Sequence, residues 1–135
     1  MILTKSAKQV SVVVALASLL GAAGCEFHAR SPEDYRSVTR ALIETRTSQI
    51  QSCYDDALKS NKEAKGTVTV HFFVQEDTGA LDNIEALPSS SAPEPLQQCV
   101  VTALQGLVLQ PPDARKGDAT FSFEFSANSV TAQEG

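Results

Sequence analysis

Gly66-Thr67-Val68-Thr69-Val70-His71-Phe72-Phe73-Val74-Gln75-Glu76-Asp77-Thr78-Gly79 is the stretch that decides the fold. Val68, Val70, Phe72 and Val74 alternate with Thr67, Thr69, His71 and Phe73, which is the period-2 pattern of a strand. Both sets carry apolar or aromatic members, so the spacing predicts a central strand. Glu76-Asp77-Thr78-Gly79 is turn chemistry, with Gly79 free to take positive φ. It returns the chain antiparallel through a second strand, Ala80–Leu87.

Amphipathic segments flank this hairpin. Before it, Ile50, Cys53, Tyr54, Ala57 and Leu58 fall at i, i+3, i+4, i+7 and i+8, which predicts a helix from Thr47 to Ser60. Further upstream, Ser31-Pro32-Glu33-Asp34 reads as a helix start: Ser31 caps, Pro32 fits the first helical position, and the two acids complement the dipole. The polar run Thr45–Gln49 leaves residues 31–60 as either one helix or two. After the hairpin, Pro88–Pro95 is a Ser/Pro-rich loop. Leu96, Cys99, Val100, Ala103, Leu104 and Leu107 then form one helical stripe, ended by Gly106 and Pro111-Pro112. Ala119, Phe121, Phe123 and Phe125 alternate with Thr120, Ser122, Glu124 and Ser126 as a third strand. Residues 127–135 show no apolar pattern and are expected to form a disordered tail.

The order helix, strand, strand, helix, strand limits the topology. A right-handed crossover after the hairpin places the third strand beside the first. The expected fold is α+β: a three-stranded antiparallel sheet of order 2-1-3 with two helices on one face. Its third strand, carrying Phe121, Phe123 and Phe125, is then an edge whose unpaired backbone groups can accept a partner strand. Cys53 and Cys99 lie on the apolar stripes of the two helices, and a shared face brings them within reach of a disulfide.

The third cysteine belongs to a different segment. Lys5 and Lys8 precede the apolar stretch Val10–Ala23, and small residues lead to Cys25, with no acid before Glu26. This is the three-part pattern of an export signal. Its run of roughly 15 apolar residues falls short of the roughly 20 that span a bilayer. An uncleaved anchor fits less well, since no aromatic or basic flank follows. Ala22-Ala23-Gly24-Cys25 resembles a bacterial lipobox, and the resemblance implies cleavage before Cys25 and its conversion to an acylated cysteine. More than one acyl chain gives stable anchoring. The alternative is ordinary cleavage with Cys25 left as a free thiol. Lipidation leaves the even pair Cys53 and Cys99 for an oxidising compartment.

Removing 24 of the 135 residues, two lysines among them, leaves 111 residues and moves the net charge from −5 to −7. That is one domain. We divide the chain into a signal peptide (1–24), a tether or helical extension (25–45), the domain (46–126) and the tail (127–135). An acidic surface argues against nucleic acid and anionic headgroups as partners. His28 and His71 are the only histidines and share no metal-ligand spacing. Neither cysteine has a matched histidine for nucleophilic work. Asp55 and Asp56 point apart on a helix, and no phosphate loop or serine nucleophile motif is present. The reading is of a non-enzyme with no catalytic residues, metal or cofactor.

Five segments together resemble the C-terminal domain of myxobacterial gliding-motility proteins of the AgmX/PglI type, itself similar to the TonB C-terminal domain. They are Ile50–Leu58, Gly66–Phe72, Asp77–Leu81, Cys99–Leu104 and Phe121–Phe125. The resemblance spans about residues 46–126 and implies a TonB C-terminal-like fold, a Cys53–Cys99 disulfide and a protein-binding habit. Leu107–Pro111 stands where that family carries an aromatic-x-Phe-Pro segment. The expected protein is an envelope lipoprotein, membrane-held through Cys25, facing the periplasm from the outer or inner membrane, and binding another envelope protein. The alternative is a peptidoglycan or small-ligand module using a groove beside Pro88–Pro95.

Overall fold

The computed structural model describes residues 29–135. The signal segment and the lipidation site Cys25 lie outside the described residues. Seven elements follow in order: α1 (Pro32–Glu44), α2 (Thr47–Ser60), β1 (Gly66–Val74), β2 (Leu81–Ala86), α3 (Glu94–Leu104), β3 (Gly117–Ser126) and β4 (Ser129–Glu134).

Local chemistry explains the helix boundaries. The Ser31 side chain accepts a hydrogen bond from the Asp34 N–H at 3.1 Å, and Pro32 occupies the first turn. Residues 31–60 form two helices. Between them the Thr45 and Arg46 amides donate back to the Leu42 and Ile43 carbonyls. The Thr45 and Thr47 hydroxyls donate to the Leu42 and Glu44 carbonyls at 2.6 and 2.7 Å. Side-chain hydroxyls that engage local carbonyls in this way favour a helix end over continuation. α3 ends at Leu104, short of the full stripe, because Gln105 is extended and Gly106 has φ +78°. Leu107 and Leu109 are buried all the same, from an extended segment.

The sheet is antiparallel, with order β2-β1-β3-β4. Its centre matches the expected hairpin and crossover, but it has four strands, not three. The region read as a disordered tail forms β4, which pairs with β3 from Ser126↔Ser129 to Phe121↔Glu134. A two-residue turn at Ala127-Asn128, with φ +47° and +65°, joins them. Both central residues at positive φ is the type I′ arrangement that suits strand twist.

Three helices, not two, pack on one sheet face. Val68, Val70, Phe72 and Val74 of β1 and Phe121, Phe123 and Phe125 of β3 meet Ile43 of α1, Ile50 and Tyr54 of α2, and Leu96, Val100 and Leu104 of α3. The Tyr54 ring lies 5.2 Å from that of Phe125, and its hydroxyl donates to the Ala64 carbonyl at 2.9 Å. α1, in the segment read as a tether or helical extension, packs on this core: Ile43 is buried and the Arg40 guanidinium sits 5.9 Å from the Phe121 ring centroid. The other face is mostly polar, with Thr69 and Ser122 sharing a hydrogen bond across β1 and β3 and Phe73 packed between His71 and Lys116.

Cys53 of α2 and Cys99 of α3 are disulfide-bonded, with Cα atoms 5.7 Å apart and 46 residues between them in sequence. In the chain-entropy account, closing such a loop removes about 4 kcal/mol of freedom from the unfolded chain. Cys53→Ser is expected to cost about 2–5 kcal/mol in denaturant unfolding, and the double Cys→Ser variant is expected to cost the same, since both remove one bond. Reduction without any loss of stability would contradict this. The turn makes a second prediction. Ala127 occupies a region that costs an ordinary L-residue about 1 kcal/mol or more. Replacing Ala127-Asn128 with Asn-Gly should raise the unfolding midpoint; an unchanged midpoint would mean that the hairpin contributes nothing.

Candidate functional site

A sheet edge is a docking template only where its backbone groups are free. The two edges here differ. On the β2 side, the chain after α3 runs alongside the start of the strand. The Leu81 N–H donates to the Leu107 carbonyl at 3.0 Å, and the Leu109 N–H donates to the Gly79 carbonyl at 2.7 Å. Gly79, at φ +72°, lies so close to Leu109 that a Cβ there would overlap backbone. The register slips between His71 and Phe73, and Asn83 stands at φ +50°. A bulge of this kind bends an edge away from pairing.

Past the end of β2, the Ser/Pro-rich loop completes the ladder with side chains. The Ser91 and Ser90 hydroxyls accept from the Thr67 and Thr69 amides at 2.9 Å each. The Ser91 and Leu87 amides return bonds to the Thr67 and Thr69 carbonyls. Gly66, at φ +130°, is where the loop presses on β1: a Cβ there would lie 2.7 Å from the Ala92 nitrogen. On this side, then, the start of β2 and the β1 groups past its end are bonded, and a bulge interrupts the strand between them.

The opposite edge is β4. Ser126 and Ser129 flank a two-residue turn and form a hydrogen-bonded pair, so bonded pairs recur at Glu124/Thr131 and Ser122/Gln133. The Gly135 amide donates to the Thr120 carbonyl at 3.0 Å in the same phase. The amides and carbonyls of Val130, Ala132 and Glu134 therefore point outward. No bulge, proline or lysine interrupts Ser129–Glu134, although such features are how sheets usually discourage added strands.

The expectation for Phe121, Phe123 and Phe125 is corrected accordingly. All three are buried against the helices, and β3 is bonded to β1 on one side and β4 on the other. The open edge lies one strand further out. Val130 and Ala132 held the only signal for it, two small apolar residues at alternating positions. Cys53 and Cys99 are joined as expected.

Two polar clusters remain. On the outer face, His71 Nε2 lies 2.7 Å from Asp118 Oδ1 and Nδ1 lies 3.8 Å from Glu85 Oε1. Among the described residues no group of three or more His, Cys, Asp or Glu side chains is placed to hold a metal. The second cluster fixes the start of the domain. Asp113 is buried, and its carboxylate accepts from the Arg30 N–H at 2.8 Å and the Arg115 N–H at 2.9 Å. The Arg30 and Arg115 guanidinium groups lie within 3.6 and 3.7 Å of it. Arg30 also donates to the Pro111 carbonyl at 2.7 Å, and Arg115 donates to the Arg30 carbonyl. The Asp77 N–H donates to the Asp113 carbonyl, which ties the β1–β2 turn into the same knot.

Burial alone would raise the Asp113 carboxyl. The two backbone donors and then the two guanidinium groups outweigh it and hold the group below the usual carboxylate range. A carboxyl that titrates lower when folded contributes its full stability above the unfolded value and loses it as pH falls through the folded one. Stability should accordingly decline below about pH 4. Asp113→Asn is expected to cost about 3 kcal/mol at neutral pH, because an amide NH2 then faces backbone donors, and to flatten that acid limb. A variant with an unchanged pH profile would contradict this role.

No protein-family model, curated protein or solved structure matches this chain.

Proposed function

We propose that this chain is a non-enzymatic cell-envelope lipoprotein, held to a membrane through Cys25, whose TonB C-terminal-like domain binds another envelope protein by adding a strand to β4. The observation that carries this reading is the contrast between the edges. The β2 side is bonded at both ends by Leu107–Leu109 and by Ser90 and Ser91 and bulged between them, whereas β4 presents the uninterrupted backbone of Val130, Ala132 and Glu134. An added strand gains main-chain hydrogen bonds without requiring any particular side chain of the domain. The export pattern before Cys25 and the Cys53–Cys99 disulfide support a periplasm-facing location, since disulfides persist in oxidising compartments. The AgmX/PglI-type resemblance suggests an envelope or motility-type assembly as the setting.

The rival reading is a peptidoglycan or small-ligand module. A groove of about 500 Å³ does run between β2, the Pro88–Ser90 loop and α3, but no aromatic side chain lines it to stack on a sugar.

Ala132→Pro separates the two. It removes an outward-facing N–H and leaves the bonds to β3 intact. The variant should keep its unfolding midpoint within a few degrees and lose the partner recovered by the parent lipoprotein from solubilised envelopes, by about tenfold or more for each strong bond forfeited. Capture unchanged by Ala132→Pro would overturn strand addition. Binding to purified peptidoglycan, equal in parent and variant, would favour the rival.

A further inference from the structure

Beyond the disulfide, the seam between α2 and α3 stays open. Cys53, Asp56, Ala57 and Ser60 recur at i, i+3, i+4 and i+7, so they share the face of α2 that looks toward α3. The side chains that follow Cys53 on this face are short. Across from them stand Pro93 and Pro95 at the start of α3. With Ala64 they leave a cleft of about 370 Å³, and both Cys53 and Cys99 form part of its wall.

The two cysteines differ in access. Cys53 is 5% exposed, whereas Cys99 is half-buried. Exchange needs a thiolate to reach a sulfur, and accessible disulfides are the labile ones. Asp56, the acid on the cleft wall, is ion-paired with Lys59 at 2.9 Å, so an approaching thiolate meets little net charge. Reduction would not dismantle the fold. Ile50, Tyr54, Leu96, Val100 and Leu104 hold the two helices on the sheet without the bond. The cysteines, with Cα atoms 5.7 Å apart, then remain opposite each other as thiols, positioned to reoxidise.

We propose that Cys53–Cys99 is a thiol-exchange site of the folded domain, entered through this cleft by the thiolate of a dithiol reductant. The thiolate attacks Cys99 Sγ and forms a mixed disulfide. The Cys53–Cys99 bond breaks, and Cys53 leaves as a thiolate that takes a proton from solvent. The second thiol of the reductant then attacks the reductant sulfur of the mixed disulfide, which releases Cys99 and closes a disulfide in the reductant. Two electrons and two protons pass from the dithiol to the cysteine pair, and the reverse steps re-form the bond. The inference depends neither on β4 nor on the anchor.

The test follows free thiols at Cys53 and Cys99 in the purified mature chain, by pulsed alkylation and peptide mass spectrometry, after reduced thioredoxin or dithiothreitol is added. If the folded domain reacts, the rate stays flat at urea concentrations below the unfolding transition. A bond reached only through global unfolding reacts about tenfold faster for each added molar of urea, and that slope overturns the proposal. Ala57→Leu fills the cleft, so that entry must displace a packed side chain and reduction slows by about tenfold or more. Ser60→Leu, at the exposed rim, supplies a second cleft-filling variant if the first does not fold. An unchanged rate in a folded variant of this kind overturns the route. Thioredoxin lacking its second cysteine should be captured on Cys99; capture on Cys53 overturns the assigned order of attack. Faster reaction with thioredoxin than with dithiothreitol at equal concentration assigns the site to a protein dithiol, and the opposite order assigns it to a small one. No reduction by either reagent in the absence of urea overturns the proposal, as does unfolding of the reduced domain.

Discussion

The pairing of β1 with β3 is the constraint on which the rest of the structure depends. Nine consecutive pairs, from Gly66↔Phe125 to Val74↔Gly117, set Val68 opposite Phe123 and Val70 opposite Phe121. Because side chains alternate, this register places seven large apolar groups on one face and threonine, serine and histidine, with Phe73, on the other. A one-residue slip would exchange the faces. The apolar face must then be covered, and the stripes of α2 and α3 cover its middle while Ile43 of α1 closes the β3 side. With α2 and α3 laid side by side on that face, Cys53 and Cys99 come within bonding distance. The disulfide is thus a consequence of the packing, and it restrains the unfolded chain more than it shapes the folded one.

The same central pair determines where function can reside. A sheet built outward from β1 and β3 has two borders, and they are treated differently. Leu107–Leu109 and the serines of the Pro88–Pro95 loop consume hydrogen-bonding groups at the two ends of the β2 side, and a bulge breaks the strand between them. Among the described residues the β4 border has no such cover. At the far end of α1, buried Asp113 collects Arg30 and Arg115 and fixes how the domain leaves the segment that carries Cys25. A fixed N-terminal start and an edge with free backbone groups are the two features on which the proposed tethered binding role rests.

Much of this was legible in the sequence, for reasons that also explain what was not. Gly66–Gly79 combines strict alternation with a glycine turn, and Leu96–Leu104 carries an unbroken helical stripe; both signals are local and strong. The α1–α2 break left two readings, because the polar run Thr45–Gln49 suits a helix or an end, and the threonine hydroxyls decided it only through their carbonyl partners. β4 escaped notice because its turn is Ala127-Asn128 and not a glycine-bearing pair, and because Ser129–Glu134 has little apolar content. It pairs because β3 already offers a rigid edge, which is tertiary context overriding weak propensity. That omission put Phe121, Phe123 and Phe125 on a border they do not occupy. The Ser90 and Ser91 contacts and the Asp113 knot join residues far apart in sequence, and no spacing rule signals them.

Amide hydrogen exchange along β4 in the mature protein tests the central claim most directly. If β4 is a paired strand with a free outer border, the amides of Ser129, Thr131 and Gln133, which face β3, exchange slowly, while those of Val130, Ala132 and Glu134 exchange at rates close to the unfolded chain. When a partner adds its strand, the second set becomes slow as well. Uniformly fast exchange from residue 127 onward would show that no fourth strand forms, and uniformly slow exchange in the isolated protein would show that the border is already covered.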